Sequence, residues 1–184
     1  SGPSAGEPGV EQWSNIVTEA SRRYGVPESV IKATMDLESG GNAQAQSKPT
    51  NYGTAKGLMQ IMDFHWKNGE NPFDPRTNIM KGAEILRDNF EKWGAWDKAF
   101  AAYYGAIDGE GNITDGADVS GVTGSGYVNA VQSRLAKYGG IAKNAIYQGA
   151  KGLLKGAQDL ASGGYKDVRD SQLTAAGLTT DEAY

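Results

Sequence analysis

The chain has 184 residues, 39 % of them hydrophobic and 22 % charged, with a formal net charge of -4. That length and mix fit one compact domain with some length to spare. The acidic balance argues against nucleic acid as the main partner, because phosphate contacts need a basic surface. With no cysteine and a single histidine, His65, disulfides, thiolate chemistry and a typical zinc site are excluded, so His65 reads as a surface or groove residue.

The opening SGPSAGEPG lacks the basic end and apolar stretch of a signal peptide. Residues 1–9 read as a linker or the remnant of a longer piece. Val10, Trp13, Ile16, Val17, Ala20 and Tyr24 then recur at helical spacing, so a helix is predicted over Val10–Tyr24, closed by Gly25 and Pro27. A second helix is predicted from near Pro27–Ser29 to Ser39, stopping at Gly40–Gly41. The polar stretch Asn42–Gly57 reads as loop and holds the only β structure expected. Gly57–Met62 (GLMQIM) is too short to assign by period.

Pro72 and Pro75 frame a turn before a long helix predicted over Thr77–Trp93, with Ile79, Ala83, Leu86, Phe90 and Trp93 on one face. A further helix fits Ala95–Gly105, with Trp96, Ala99, Phe100 and Tyr103 on one stripe. Ile107–Gly126 is rich in Gly, Asp, Ser and Thr and reads as a long surface loop. A helix over Tyr127–Tyr138 follows. Ile141–Ala161 is weakly amphipathic with three internal glycines, which lowers its helix propensity; residues 139–184 read as a helical extension and tail. No run is apolar enough to span a membrane. The expected fold is mainly α, with at most a small β element near 42–57.

One residue stands out by position. Ile31, Thr34, Met35 and Glu38 fall at i, i+3, i+4 and i+7, which puts a carboxyl on the apolar stripe of the second helix. Burial there disfavours the charged form and raises the pKa, so the group keeps a proton it can donate near neutral pH. From the pattern alone, a helix-end glutamate reaching solvent stays open. Asp36 lies about 200° away around the helix and faces elsewhere. Ser39 has no His–Asp pair to activate it and reads as a helix-end residue.

The segments MDLESGGNAQAQS, GLMQIM, NPFDPRTNIMKGAEIL and AAYYGA follow one another in order. Together they resemble the catalytic domain of the soluble lytic transglycosylases, which is related to goose-type lysozyme. The resemblance runs from about Val10 to Tyr138 and implies a lysozyme-like helical domain over residues 10–138. It implies that Glu38 is the single catalytic acid/base and that Ser47 contacts the sugar N-acetyl group. Gln60 and Met62 would line the glycan groove. Tyr103 would point its hydroxyl toward the catalytic glutamate, and Tyr127 matches a tyrosine of the next helix. Tyr104 stands where the family usually has Asn, a few extra residues lie between Ser47 and Gly57, and the loop after Ile107 is longer than usual.

The activity implied is cleavage of the bond between N-acetylmuramic acid and N-acetylglucosamine in peptidoglycan, forming a 1,6-anhydro product without metal or organic cofactor. Two alternatives stay open. In a hydrolytic lysozyme, Asp63, Asp74 or an acid of residues 108–118 would activate water. A non-catalytic wall-binding module is the other, and Tyr104 favours it. The partner expected is the glycan strand, met at the cell wall in an extracellular or periplasmic setting. The glycine-punctuated segment after Gly140 fits a piece of a longer phage or secretion-machine polypeptide, virion-associated in the phage case.

Overall fold

The computed structural model describes residues 9–116 and 120–141. Its helices are α1 (Ser14–Tyr24), α2 (Glu28–Ser39), α3 (Pro75–Trp93), α4 (Trp96–Tyr104) and α5 (Gly124–Leu135), with a two-stranded sheet of β1 (Ala55–Lys56) and β2 (Ile61–Met62) between α2 and α3. The mainly α expectation therefore holds, sheet included. Residues 142–184, most of the predicted extension and tail, lie outside the described residues, as does all of 1–9 except Gly9.

The helical stripes meet in one core. Val17 and Ala20 of α1, Val30, Ile31 and Met35 of α2, Ile79, Ala83 and Leu86 of α3, Ala99 and Phe100 of α4 and Val128 and Val131 of α5 are all buried. α3 packs on α1 and α4, while α5 packs on α2 and α4. This brackets the C-terminal end of α2 between α4, α5 and the β segment.

Helix ends differ from the sequence-based expectation by a few residues, for identifiable reasons. The predicted first helix opens as a 3₁₀ turn, Val10–Trp13, before α1. α3 starts at Pro75, because Asp74 caps it by accepting the Thr77 amide and proline suits the first helical position. α5 starts at Gly124, capped by the Thr123 hydroxyl, and gives way to a 3₁₀ turn over Ala136–Tyr138. Gly124 belongs there on packing grounds, since a Cβ would lie 2.2 Å from the Thr114 carbonyl oxygen.

The sheet extends past the predicted 42–57 region. Ala55 pairs with Met62 and Lys56 with Ile61, so half of it comes from the GLMQIM run. Gly57 (φ 76°) and Gln60 (φ 49°) reverse the chain between the strands, and Leu58 and Met59 are fully buried in the reversal. The predicted loop after Ile107 contains an isolated bridge, Ile107–Ile113.

Both ends of the described body rest on α2. At its C-terminal end a Cβ on Gly41 would sit 2.6 Å from the carbonyl carbon of Gly9, and the Trp13 indole donates to the Gly41 carbonyl. At its N-terminal end the Ser29 hydroxyl donates to the carbonyl of Gly140. Among the described residues, no helix is long and apolar enough to cross a membrane.

Candidate active site

Glu38 sits in the last turn of α2, one helical turn from buried Thr34 and Met35. The residue keeps partial contact with solvent, while dense protein around its carboxyl pushes the pKa up to about 7. The two observations describe a carboxyl surrounded largely by protein on a residue that still meets solvent. Desolvation is the dominant cause; a hydrogen bond from Tyr127, which favours the charged form, opposes it.

Two phenols face this carboxyl. Tyr127 of α5 donates its hydroxyl to Glu38 Oε1 at 2.5 Å. Tyr103 of α4 lies close enough for the Glu38 charge to raise its pKa, but burial is the larger cause. Its hydroxyl donates to the Met59 carbonyl at 2.5 Å. The resemblance aimed Tyr103 at the glutamate; in the structure Tyr127 makes the direct bond and Tyr103 ties α4 to the β1–β2 turn. Burial holds both phenols well above their ordinary range, so both remain donors throughout the neutral range.

The turn beside Glu38 is fastened from two sides. The Ser39 hydroxyl donates to the Leu58 carbonyl at 2.7 Å and accepts the Gly41 amide, consistent with a helix-end role. From α3, fully buried Asn78 accepts the Met59 amide at 2.7 Å and donates to the carbonyls of Lys56 and Pro72. A Cβ on Gly82 would lie 2.8 Å from Met59 Cγ, so the absence of a side chain lets Met59 lie on α3. The sequence reading missed Asn78. Its signal was an amide next to Ile79 on the apolar face of a helix, within the NPFDPRTNIMKGAEIL segment.

Ser47 and Gln60 lie in the loop and turn on the β side. The Ser47 hydroxyl donates to the Lys48 carbonyl and accepts the Ala55 amide. The Gln60 amide nitrogen donates to the carbonyls of Ala45 and Gly57. These bonds shape the loop rather than reach Glu38. Met62 is half-buried on β2. Tyr52 and Phe64 project from the same region, 79 % and 69 % exposed, and His65 is half-buried against the Phe64 ring, 4.4 Å between centroids.

The neighbouring acids are engaged elsewhere. Asp63 pairs with Lys56 and accepts the Thr54 amide. Asp74 caps α3. Asp108 accepts the amides of Glu110 and Asn112, and Asp115 accepts that of Ser125. These bonds hold all four carboxyls below the usual carboxylate range. Asp36 is turned away from Glu38, onto Tyr138 and Lys137. Among the described residues, no cluster of His, Asp or Glu is arranged to hold a metal ion.

The Tyr127 bond gives a direct expectation. Tyr127→Phe removes a donor that favours the carboxylate, so the Glu38 titration midpoint should rise above that of the parent. A carboxyl ¹³C titration reads it; an unchanged midpoint would show that the phenol does not act on this group.

Fold and site together define a lysozyme-like helical domain with a desolvated carboxyl at the end of α2. The chain belongs to the transglycosylase SLT domain family, whose sequence model matches residues 15–115, over half of its 184 residues. It is 32 % identical over 102 residues to a transglycosylase of Enterobacteria phage PRD1, covering 54 % of this chain and 37 % of that protein. It is 35 % identical over 88 residues to membrane-bound lytic murein transglycosylase C of Mannheimia succiniciproducens, covering 41 % of this chain and 24 % of the relative. Protein IpgF of Shigella flexneri is 43 % identical over 49 residues, 27 % of this chain and 32 % of the relative. The chain therefore spans well under half the length of each.

Proposed function

We propose that residues 10–138 form a catalytic domain that cleaves the bond between N-acetylmuramic acid and N-acetylglucosamine in peptidoglycan, with Glu38 as its single acid/base. The observation that carries this reading is a desolvated carboxyl in the last turn of α2, held by the Tyr127 hydroxyl and partly open to solvent; with a pKa of about 7 it is about half protonated near neutral pH. Similarity to lytic murein transglycosylases supports the substrate.

Most glycosidases use two carboxylates flanking the bond. Here Glu38 protonates the glycosidic oxygen, and the C1–O bond breaks as the substrate's N-acetyl oxygen stabilises the developing cation. The carboxylate left behind takes the proton of the muramic acid C6 hydroxyl. That oxygen then closes on C1, giving a 1,6-anhydro end and returning Glu38 to its starting state. A pKa near the working pH suits a residue that serves first as acid and then as base. The engagement of Asp63, Asp74, Asp108 and Asp115 in other bonds favours this route over hydrolysis by those four acids; Asp118, also a candidate for activating water, lies outside the described residues.

Ser47, Gln60 and Met62 are the proposed substrate-side residues, the first two through the loop shape they maintain. The exposed rings of Tyr52 and Phe64 offer apolar faces to sugars along the same side. Similarity to a phage transglycosylase is compatible with a phage setting, in which the domain would act on the wall as part of a virion-associated polypeptide.

Mass spectrometry of fragments released from purified walls tests the reaction. Muropeptides lacking the mass of one water, with non-reducible ends, are expected. Reducible ends alone would make the enzyme a hydrolase, and no release at all would make the domain a binding module.

A further inference from the structure

We propose that Tyr104 is a positioning residue that holds the Tyr127 hydroxyl on Glu38, clamping the Tyr127 ring from a mount on Val122. This rests on the acid/base reading of Glu38 and extends the site to a residue that is not the family's usual Asn.

The Tyr104 ring lies on the Tyr127 ring with 4.5 Å between centroids and 12° between planes. A phenol delivers its donor at the end of a rigid ring, so a small rotation about the Cα–Cβ bond moves the hydroxyl substantially. A second ring flat against the first restricts that rotation. Tyr104 is itself held at its far end, where its hydroxyl donates to the Val122 carbonyl at 3.1 Å. Val122 directly precedes Thr123, the cap of α5, and Asp115 accepts the amide of Ser125 in the first turn of that helix. Tyr127 sits one turn from these ties. The clamp and the helix carrying the clamped ring therefore share one support. An Asn at position 104 has no ring to stack.

Among the described residues, the titratable groups facing Glu38 are few. Tyr127 faces it from α5 and Tyr103 from α4, with Tyr104 behind Tyr127. Asp36, on α2 itself, is turned to Lys137 and Tyr138. The β1–β2 turn meets this end of α2 through Leu58, bonded by Ser39, and meets Tyr103 through Met59; neither ionises. A change in the placement of Tyr127 should therefore register as a change in the Glu38 titration.

Carboxyl ¹³C titration of Glu38 is the primary readout, in the parent, Tyr104→Leu, Tyr104→Phe, Tyr127→Phe and the double variant Tyr104→Leu/Tyr127→Phe. Tyr104→Asn is read beside Tyr104→Leu, so that the measurement stands if one of them does not fold. Loss of the ring should move the Glu38 midpoint upward, in the direction of Tyr127→Phe, by on the order of 0.5 pH. Tyr104→Phe, which keeps the stack but loses the tie to Val122, should give a midpoint between those of the parent and Tyr104→Leu. Once the Tyr127 hydroxyl is gone, removing Tyr104 should add nothing further. Wall lysis by Tyr104→Leu should fall about tenfold in kcat. An unchanged midpoint in folded Tyr104→Leu and Tyr104→Asn would overturn the proposal, as would additive shifts in the double variant. Failure of the acid/base reading shows separately, as a parent protein that titrates as described and releases nothing from walls.

Discussion

Glu38→Gln should give a folded protein that releases soluble fragments from purified walls about 10²- to 10⁴-fold more slowly than the parent, the range general acid–base groups contribute. The upper end is expected, because this one residue both gives and takes the proton. Parental turnover in the folded variant would remove Glu38 from the chemistry. Substitution should also change the pH dependence of stability. The Glu38 pKa is raised from 4.5 to about 7 on folding. Between those values the unfolded chain has lost its proton and the folded one keeps it, so rising pH favours unfolding. The parent should be destabilised progressively from pH 4.5 to about 7, by up to about 3 kcal/mol. Glu38→Gln, which cannot ionise, should escape this loss and equal or exceed the parent at pH 8. Parental activity should fall over the same upper range, above about pH 7, as the acid form disappears. Denaturant titrations at pH 4 and pH 8 beside a pH–rate profile test both statements.

Asn78→Leu should be the most destabilising single change at the site, although Leu is apolar and of similar size. It would strand the Met59 amide and remove the donor from the carbonyls of Lys56 and Pro72. A buried polar group left unpaired costs about 1–3 kcal/mol, so a total of about 3–5 kcal/mol is expected, a large part of a domain's stability. A fall in the urea midpoint at unchanged slope would measure it. Activity should fall too, even where the variant is folded, because Asn78 holds the turn that receives both Tyr103 and Ser39. A urea midpoint equal to that of the parent would mean that the amide is not a structural tie.

The helices were legible because apolar residues recurring every three or four positions have one economical arrangement. That regularity also exposed Glu38, a carboxyl out of place on a buried stripe. Where partners are backbone groups, the sequence carries no mark of them. The ties of Asn78 reach 19 and 22 residues away along the chain, and those of Gln60 end on carbonyls. The start of α5 was hidden for another reason. Gly124 and Gly126 argue against a helix by propensity, but the approach of Thr114 and Ala106 requires the first of them. β2 lay within six residues that fit strand or helix equally. Which tyrosine reaches the carboxyl depends on how α4 and α5 are rotated against α2, and no single helix encodes that relation.

The contacts at Gly41 and Ser29 bear on how the domain tolerates mechanical load. α2 has 12 residues, so its poles are about 18 Å apart. One is braced by residue 9 and the other by residue 140. A pull on chain attached at these points would load the domain roughly along the axis of that rod, its stiff direction.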